Sequence, residues 1–238
     1  MVKNHLLRLD APKAWPIARK GSVYLPKTRA GAHGFQESVP LSLVLREMLK
    51  LSRTLKETKA LINSGKILIN SKVRKDHKFA VGLMDVISIP EIGKQYRMLI
   101  NYKGTMILHP ISKEEAGLRL CKINGKTIIK SGKIQLNLHD GSNIITENKD
   151  YKPGDTIMLL TDSGEIKEHF KFEKGATLLI TGGKKAASFG RMESAKSFKG
   201  SQPENIILST KKGMIETRKT YAFVIGKEKA SISLPQDE

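Results

Sequence analysis

Two groups of residues have types that could do chemistry: a glycine–lysine run and the histidines. The run Gly182-Gly183-Lys184-Lys185 has part of the phosphate-binding pattern G-x-x-x-x-G-K-[ST]. Leu178 stands where the first glycine is needed, and Lys185 replaces the Ser or Thr whose hydroxyl would bind Mg²⁺. The run supplies neither a complete phosphate cradle nor a magnesium ligand, so we expect no small-molecule substrate.

Metal binding and nucleophilic catalysis lack side chains at useful spacing. No two of the six histidines lie four residues apart, and none adjoins a cysteine. They are His5, His33, His77, His109, His139 and His169. The single cysteine, Cys121, excludes an intramolecular disulfide and a cysteine-cluster zinc site, and it favours a reducing intracellular setting. We expect no metal, no cofactor and no catalytic residue.

Basic side chains are the chemistry that the sequence does supply. The 238 residues include 42 Lys and Arg against 23 Asp and Glu, a formal net charge of +19. Such an excess repels itself in the folded chain, so a polyanion is the expected partner. Residues 101–172 are close to neutral, with 11 Lys and Arg and 9 acids. The surfaces that face this polyanion are therefore expected on either side of that segment.

A membrane partner is not expected. No apolar run approaches the roughly 20 residues that span a bilayer. The first residues lack the apolar stretch of a signal peptide, because Leu6 and Leu7 are followed at once by Arg8.

Residues 40–100 contain the elements that should position most of the cations. Leu41, Val44, Leu45 and Met48 recur with the period of a helix that buries one side. Three basic residues fall off this stripe at similar spacing, so we expect them to face outward together. They are Arg46, Lys50 and Arg53.

A second helix and a hairpin follow. Thr54 and Glu57 have the spacing of a capping box, and Gly65 suits the position after the helix end. Ile67–Ile69 reads as a strand that turns at Asn70. With the first helix, these elements should present one basic surface to phosphates, although an ordinary solvated face is the alternative. Its further cations are Lys56, Lys59, Lys66, Lys72, Arg74 and Lys75.

Residues 1–39 have little hydrophobic periodicity and are broken by proline and glycine. We expect an extended basic arm that orders on RNA, with Trp15 and Tyr24 free to pack or stack, and a disordered tail is the alternative. Its proposed RNA contacts are Lys3, Arg8, Lys13, Arg19 and Lys20.

The remainder of the chain reads as β-rich. Residues 101–172 contain strand-like runs divided by Gly, Asn and Asp, with one helix expected over Lys113–Leu120. In residues 173–238, a strand over Thr177–Thr181 leads into a basic loop, 182–199. Its proposed phosphate contacts are Lys184, Lys185, Arg191, Lys196 and Lys199.

Several stretches resemble one family in the right order. INSGKILINSKVRKD (62–76) resembles the S-four RNA-binding domain, and GLMDVISI (82–89) resembles the archaeal and eukaryotic small-subunit ribosomal family eS-four. KEEAGLRLCKI (113–123) and FVIGKEKASISLP (223–235) are similar to the same family, as are Ala11-Pro12-Lys13 and Tyr24-Leu25-Pro26. The 173–200 stretch resembles a KOW motif, with Gly190 at the motif glycine and Ala187 where another glycine is common.

The resemblance implies an α+β, multidomain protein. Its expected parts are an extended arm (1–39), an S-four-like helix–helix–hairpin domain (40–100), a β-rich central domain (101–172) and a small SH3-like KOW β-barrel (173–238). It also implies a structural constituent of the small ribosomal subunit in the cytoplasm, with rRNA and neighbouring ribosomal proteins as partners. The absence of a longer basic tail after Pro235 favours an archaeal member.

Two other functions stay open at this point. The first is an RNA-modifying enzyme, because Arg8-Leu9-Asp10 matches a triplet found in pseudouridine synthases. The segment before the S-four-like stretch is, however, too short for a catalytic domain of roughly 100 residues. A transcription-associated factor would explain the KOW-like loop but not the S-four-like stretch.

Overall fold

Strands dominate the fold and helices are few and short. The computed structural model describes residues 5–130, 132–196, 203–210 and 213–235. The chain divides into two compact units: Met1–Leu99 with Thr105–Arg119, and Ile100–Gly104 with Leu120–Glu238. None of the helices in the described ranges is long and apolar enough to cross a membrane.

The first unit is built around a five-stranded sheet of order β5-β4-β7-β8-β9, with β1–β2 and β3–β6 as separate antiparallel pairs. Its strands are β1 (Leu6–Leu7), β2 (Tyr24–Leu25), β3 (Ser38–Pro40), β4 (Leu68–Ile69), β5 (Lys72–Val73), β6 (Ala80–Gly82), β7 (Val86–Ile89), β8 (Lys94–Ile100) and β9 (Met106–Pro110). Its helices are α1 (Leu41–Leu43), continued by a π-helical turn over Val44–Met48, α2 (Leu55–Asn63) and α3 (Lys113–Ala116). Residues 105–119, assigned to the central domain from sequence, thus pack with this unit.

The N-terminal segment is a folded part of the first unit, which corrects the prediction of an extended arm. Leu6, Trp15 and Leu25 are buried in the same core as Leu41 and Ile62. The Trp15 indole Nε1–H donates to the Ser38 carbonyl at 2.6 Å, so the ring packs and its polar atom is satisfied. Long-range packing therefore orders a segment whose local pattern predicted none.

The first predicted helix is only partly correct. Leu41, Val44 and Leu45 are buried as expected, and Met48 is partly buried against the core. The helix widens into the π-helical turn, however, with the Leu49 N–H bonded to the Val44 carbonyl at 3.0 Å. Lys50 then takes a positive φ of 54°, which ends the helical path.

The second helix and the hairpin agree with prediction. In α2 the Thr54 hydroxyl accepts the Glu57 amide while the Glu57 carboxylate accepts the Thr54 amide, so the capping box is complete. Gly65 follows the helix with φ of 76°. Asn70 and Ser71 both have positive φ, as the two-residue turn between β4 and β5 requires.

The second unit holds two antiparallel sheets. Their orders are β12-β11-β10-β13-β14 and β18-β17-β16-β15-β19. The strands are β10 (Leu118–Ile128, which begins in the first unit), β11 (Ile134–Leu138), β12 (Asn143–Thr146), β13 (Thr156–Leu160), β14 (Ile166–Phe170), β15 (Thr177–Ile180), β16 (Phe189–Lys196), β17 (Asn205–Thr210), β18 (Gly213–Arg218) and β19 (Ala222–Gly226). Lys122 Nζ donates to the carbonyls of Thr220 and Ala222 at 3.0 and 2.7 Å, which ties the two sheets together.

Two predicted elements are corrected in these regions. The helix expected over Lys113–Leu120 stops at Ala116, because residues from Leu118 onward belong to β10. Within the described residues up to Lys196, the basic loop expected over 182–199 is a short turn followed by β16, which pairs with both β15 and β17. Gly190 is needed there because a Cβ at this position would lie 2.3 Å from the Ser209 carbonyl oxygen of β17.

Candidate nucleic-acid interface

Two of the predicted N-terminal cations serve the fold. Arg8 is buried, and its guanidinium donates to the Ala18 carbonyl at 2.7 Å, the Ser22 carbonyl at 2.9 Å and the Ser22 hydroxyl at 2.7 Å. Arg19 is half-buried and donates to the carbonyls of Ala11 and Pro12 at 2.7 and 3.1 Å. These hydrogen bonds, most of them to main-chain carbonyls, give both arginines a structural role, and their predicted contact with phosphate stays a prediction.

The other N-terminal cations stay available. Lys13 and Lys20 are exposed. Arg29 is also exposed, and its guanidinium pairs with Asp76 at 3.2 Å. Lys3 lies outside the described residues, so its predicted contact stays a prediction.

The three cations predicted to share the first helix face do not lie on one regular helix. Arg46 is half-buried and its guanidinium pairs with the Glu47 carboxylate at 3.1 Å. Lys50 and Arg53 are exposed but lie beyond the π-helical turn, where helical spacing no longer applies. The positive φ of Lys50 ends the helical path before Arg53, and the periodicity of the sequence could not indicate this break.

α2 and the β4–β5 hairpin present most of the predicted cations to solvent. The exposed ones are Lys56, Lys59, Lys66, Lys72 and Lys75. Lys66 pairs with Glu91 at 2.6 Å. Arg74 is half-buried, with its guanidinium carbon 4.6 Å from the centroid of the Phe79 ring, so it contributes a cation–π contact to the fold. The hairpin thus carries both free and structural cations.

His77 marks the place where cations from separate segments meet. Its pKa is lowered by burial first and then by the charge of Lys59, with Lys78 and Arg29 adding to the effect and Asp76 opposing it. The Arg29 amide also donates to the Lys78 carbonyl at 3.0 Å. A cation of the N-terminal segment therefore joins those of α2 and of the strand-connecting loop in one basic surface. Sequence reasoning missed Lys78 and this junction, because both depend on the long-range packing of residue 29.

The second basic surface is the turn between β15 and β16. Lys184 and Lys185 are exposed, and the amides of residues 182–185 find no acceptor among the described residues. Arg191 is exposed on β16, with its guanidinium 3.5 Å from the Glu228 carbonyl. Lys196 pairs loosely with Glu216 at 3.6 Å, while Lys199 lies outside the described residues. Lysines beside free amides suit an anion such as phosphate.

One cluster of potential metal ligands was not foreseen. The β10–β11 pairing brings Cys121, His139 and Asp140 together, with ligand atoms within 4.8 Å of one another. His139 Nδ1 accepts the Lys122 amide at 3.2 Å, and Asp140 Oδ1 accepts the Ser142 hydroxyl at 2.6 Å. An acceptor at Nδ1 requires the proton on Nε2, which leaves the imidazole no lone pair for a metal. The cluster is therefore a hydrogen-bonding arrangement.

Comparison with known proteins decides the family. The small ribosomal subunit protein eS4 of Methanosphaera stadtmanae is 43% identical over 235 residues, which is 99% of this chain and 97% of that protein. The eS4 protein of Methanocella arvoryzae is 40% identical over 232 residues, 98% of each chain. This chain belongs to the ribosomal protein S4e family. Residues 92–166 match "Ribosomal family S4e" and residues 2–36 match the "RS4NT (NUC023) domain".

The S4e fold is matched as well. The crystal structure of the 30S ribosomal protein S4e from Thermoplasma acidophilum has a TM-score of 0.70 and 32% identity, over 80% of this chain and 96% of that one. The predicted family is confirmed. Membership of a ribosomal protein family also confirms that the chain is not an enzyme and makes the alternative of an RNA-modifying enzyme wrong.

Proposed function

We propose that this chain is a structural constituent of the small subunit of the cytoplasmic ribosome in an archaeon, where it binds and organises rRNA. Its relatives named small ribosomal subunit protein eS4 match nearly their full lengths at about 40% identity. The partners are small-subunit rRNA and neighbouring ribosomal proteins. The task is electrostatic and mechanical: cations offset phosphate repulsion so that RNA helices can pack closely against a rigid protein surface.

The observation that carries the proposal is the junction at His77. Burial lowers the pKa of His77 first, and the positive charges of Lys59, Lys78 and Arg29 lower it further, so cations from three separate segments act on one imidazole. A monomer gains nothing from gathering cations in this way, since they repel one another. An RNA phosphate backbone would convert that repulsion into attraction and release its own counterions.

We further propose that the elements from β3 to β7 act as an S-four-like RNA-binding domain and that the β15–β19 sheet acts as a KOW-like domain. The helix–turn–hairpin order and the Gly190 contact with β17 support these two assignments. The proposed phosphate contacts are the exposed cations of the predicted set. They are Lys13, Lys20, Lys50, Arg53, Lys56, Lys59, Lys66, Lys72, Lys75, Lys184, Lys185, Arg191 and Lys196.

The test is the salt dependence of RNA binding by the full chain. A variant with Lys56, Lys59 and Lys75 all changed to Gln removes three exposed charges from α2 and the hairpin region. Binding to archaeal small-subunit rRNA should weaken, and the slope of log K against log salt should fall by about 0.9 for each lost duplex-phosphate contact. The measurement is filter binding across a series of potassium chloride concentrations.

The matched control carries the same number of Lys→Gln changes elsewhere. Lys130, Lys149 and Lys167 are exposed lysines of the second unit and are not among the proposed contacts. This control should keep the wild-type slope. Equal slopes in all three proteins would show that the α2 and hairpin cations do not touch phosphate, and equal losses in both variants would show only a general charge effect.

A further inference from the structure

Exposed apolar side chains are concentrated on the N-terminal β1–β2 pair and in the residues next to it. Twelve large apolar side chains are exposed among the described residues, and four of them lie between residues 7 and 24. They are Leu7, Leu9, Val23 and Tyr24, with exposures of 45%, 77%, 63% and 58%. Such a concentration at one strand pair and its neighbouring residues favours a contact surface, since scattered single residues would need no explanation.

The strand register aims part of this patch outward. Leu6 pairs with Leu25, and both are buried. The next pair, Leu7 with Tyr24, faces the opposite side of the two strands, because successive side chains of a strand alternate. The His5 ring lies 5.4 Å from the Tyr24 ring, tilted by 48°. The imidazole contacts the phenol ring from one side, and more than half of the surface of Tyr24 stays exposed to solvent.

Hydrogen bonds connect the two strands that carry the patch. The Arg8 guanidinium, next in the chain after Leu7, bonds to Ser22, the residue before Val23, and the Arg8 amide donates to the Val23 carbonyl at 2.9 Å. The two exposed strands are thus locked together by the cation that sequence reasoning had assigned to RNA. A pre-formed aromatic surface costs a ligand little ordering entropy.

The charge around the patch favours an anionic partner with flat, apolar faces. Lys13 and Lys20 are exposed in the segment that β1 and β2 enclose, and Asp10 is the one acid between Leu7 and Tyr24. Single-stranded RNA meets both conditions, because its unpaired bases stack on aromatic rings while its phosphates contact lysine. A wholly apolar protein surface would leave these lysines without a partner.

We propose that the outer face of the β1–β2 pair binds unpaired nucleobases of RNA, with Tyr24 as the stacking ring and Leu7 beside it as apolar floor. This inference rests on the proposed RNA-binding function and adds to it a surface for single strands. The cations of α2 and the β4–β5 hairpin, in contrast, are proposed to contact only the phosphate groups of the RNA.

The experiment compares single-stranded and duplex RNA of equal length, a 12-nucleotide oligouridine and a 12-base-pair duplex, by fluorescence anisotropy with the full chain. Tyr24→Ala should bind the single strand about tenfold more weakly and the duplex as the wild type does. Tyr24→Phe keeps the ring and should bind like wild type. Tyr102→Ala is the matched control, since Tyr102 is 62% exposed in the second unit and should be neutral. The fluorescence of Trp15, the single tryptophan, reports that each variant is folded.

The outcomes separate the two proposals. If the wild type binds neither RNA, the proposed function itself fails. If the wild type binds both and Tyr24→Ala retains full affinity for the single strand, the stacking surface is refuted while RNA binding stands. The stacking surface is likewise refuted if Tyr24→Ala loses single-strand and duplex affinity equally, or if it binds RNA normally but fails only to assemble with other ribosomal proteins.

Discussion

Asp85→Asn should be one of the most damaging single substitutions in the first unit. The Asp85 carboxylate is buried and receives hydrogen bonds from three directions. Oδ2 accepts from the Gly82 amide and bonds His33 Nε2, both at 2.9 Å, and Oδ1 accepts from Asn70 Nδ2 at 2.7 Å. An asparagine offers one acceptor oxygen, so its own NH₂ would have to face one of these donors.

The neighbours cannot adapt to the change. Asn70 could rotate its amide to offer an oxygen, but that oxygen already accepts the Val86 amide at 2.9 Å. Burial opposes ionisation of Asp85, yet the charge of His33 and the hydrogen bonds from His33, Asn70 and Gly82 lower its pKa from 3.8 to about 2. That lowering is worth about 2–3 kcal/mol of stability at neutral pH. With one donor left unsatisfied, we expect Asp85→Asn to cost about 2–4 kcal/mol.

The pH dependence has a definite sign. Because the pKa of Asp85 is lower in the folded state, its stabilisation is fully present above about pH 4 and is lost as the pH falls towards 2. The free-energy difference between wild type and Asp85→Asn should therefore shrink over that window. Urea unfolding followed by Trp15 fluorescence measures it, since this single tryptophan is buried in the core of the first unit.

Asp76→Asn is the matched control. Its carboxylate also pairs with a cation, Arg29, and accepts the Lys78 amide at 2.9 Å, but the Arg29 side chain is 71% exposed. We expect a cost of at most about 1 kcal/mol, as for other exposed ion pairs. Equal urea midpoints for wild type and Asp85→Asn would refute the reasoning, and so would a difference that does not change with pH.

Two further substitutions test other contacts of the first unit by the same unfolding assay. Arg97→Met removes the buried partner of the Glu115 carboxylate and the donors to the carbonyls of Glu115 and Leu118. It should lower the free energy of unfolding by about 3–5 kcal/mol, and a loss below about 1 kcal/mol would contradict this prediction. Thr54→Ala removes the cap of α2 and should cost about 1 kcal/mol, whereas Ser64→Ala at the other end of the helix should cost less, and the reverse order would contradict the capping argument.

Local chemistry explains what the sequence predicted well. The capping box at Thr54 and Glu57, the glycine after α2 and the hairpin turn at Asn70 each depend on residues within a few positions. The strands over Ile134–Leu138 and Thr156–Leu160 lie in the segment where strand-like runs were expected, for the same reason. Apolar periodicity and turn residues are enough to specify such elements.

Long-range contacts explain what it predicted badly. The helix expected over Lys113–Leu120 is cut short where residues from Leu118 join a sheet. The Ser112 hydroxyl caps the helix locally by accepting the Glu115 amide, but the Glu115 carboxylate bonds Arg97, eighteen residues earlier in the chain. Arg97 is fully buried and no pattern in the sequence distinguishes it from a surface arginine. Partners of this kind are known only once the fold is known.

The folded N-terminal segment changes what RNA binding would involve. An extended arm would lose conformational entropy on meeting RNA, and its apparent affinity would fall accordingly. Here Trp15 and the two internal arginines, Arg8 and Arg19, already fix the segment against the rest of the unit. The cost of ordering is therefore met within the protein by burial and main-chain hydrogen bonds. Lys13, Lys20 and Tyr24 are held in place in advance, so the interface should respond to salt through its lysines and to RNA strandedness through its tyrosine.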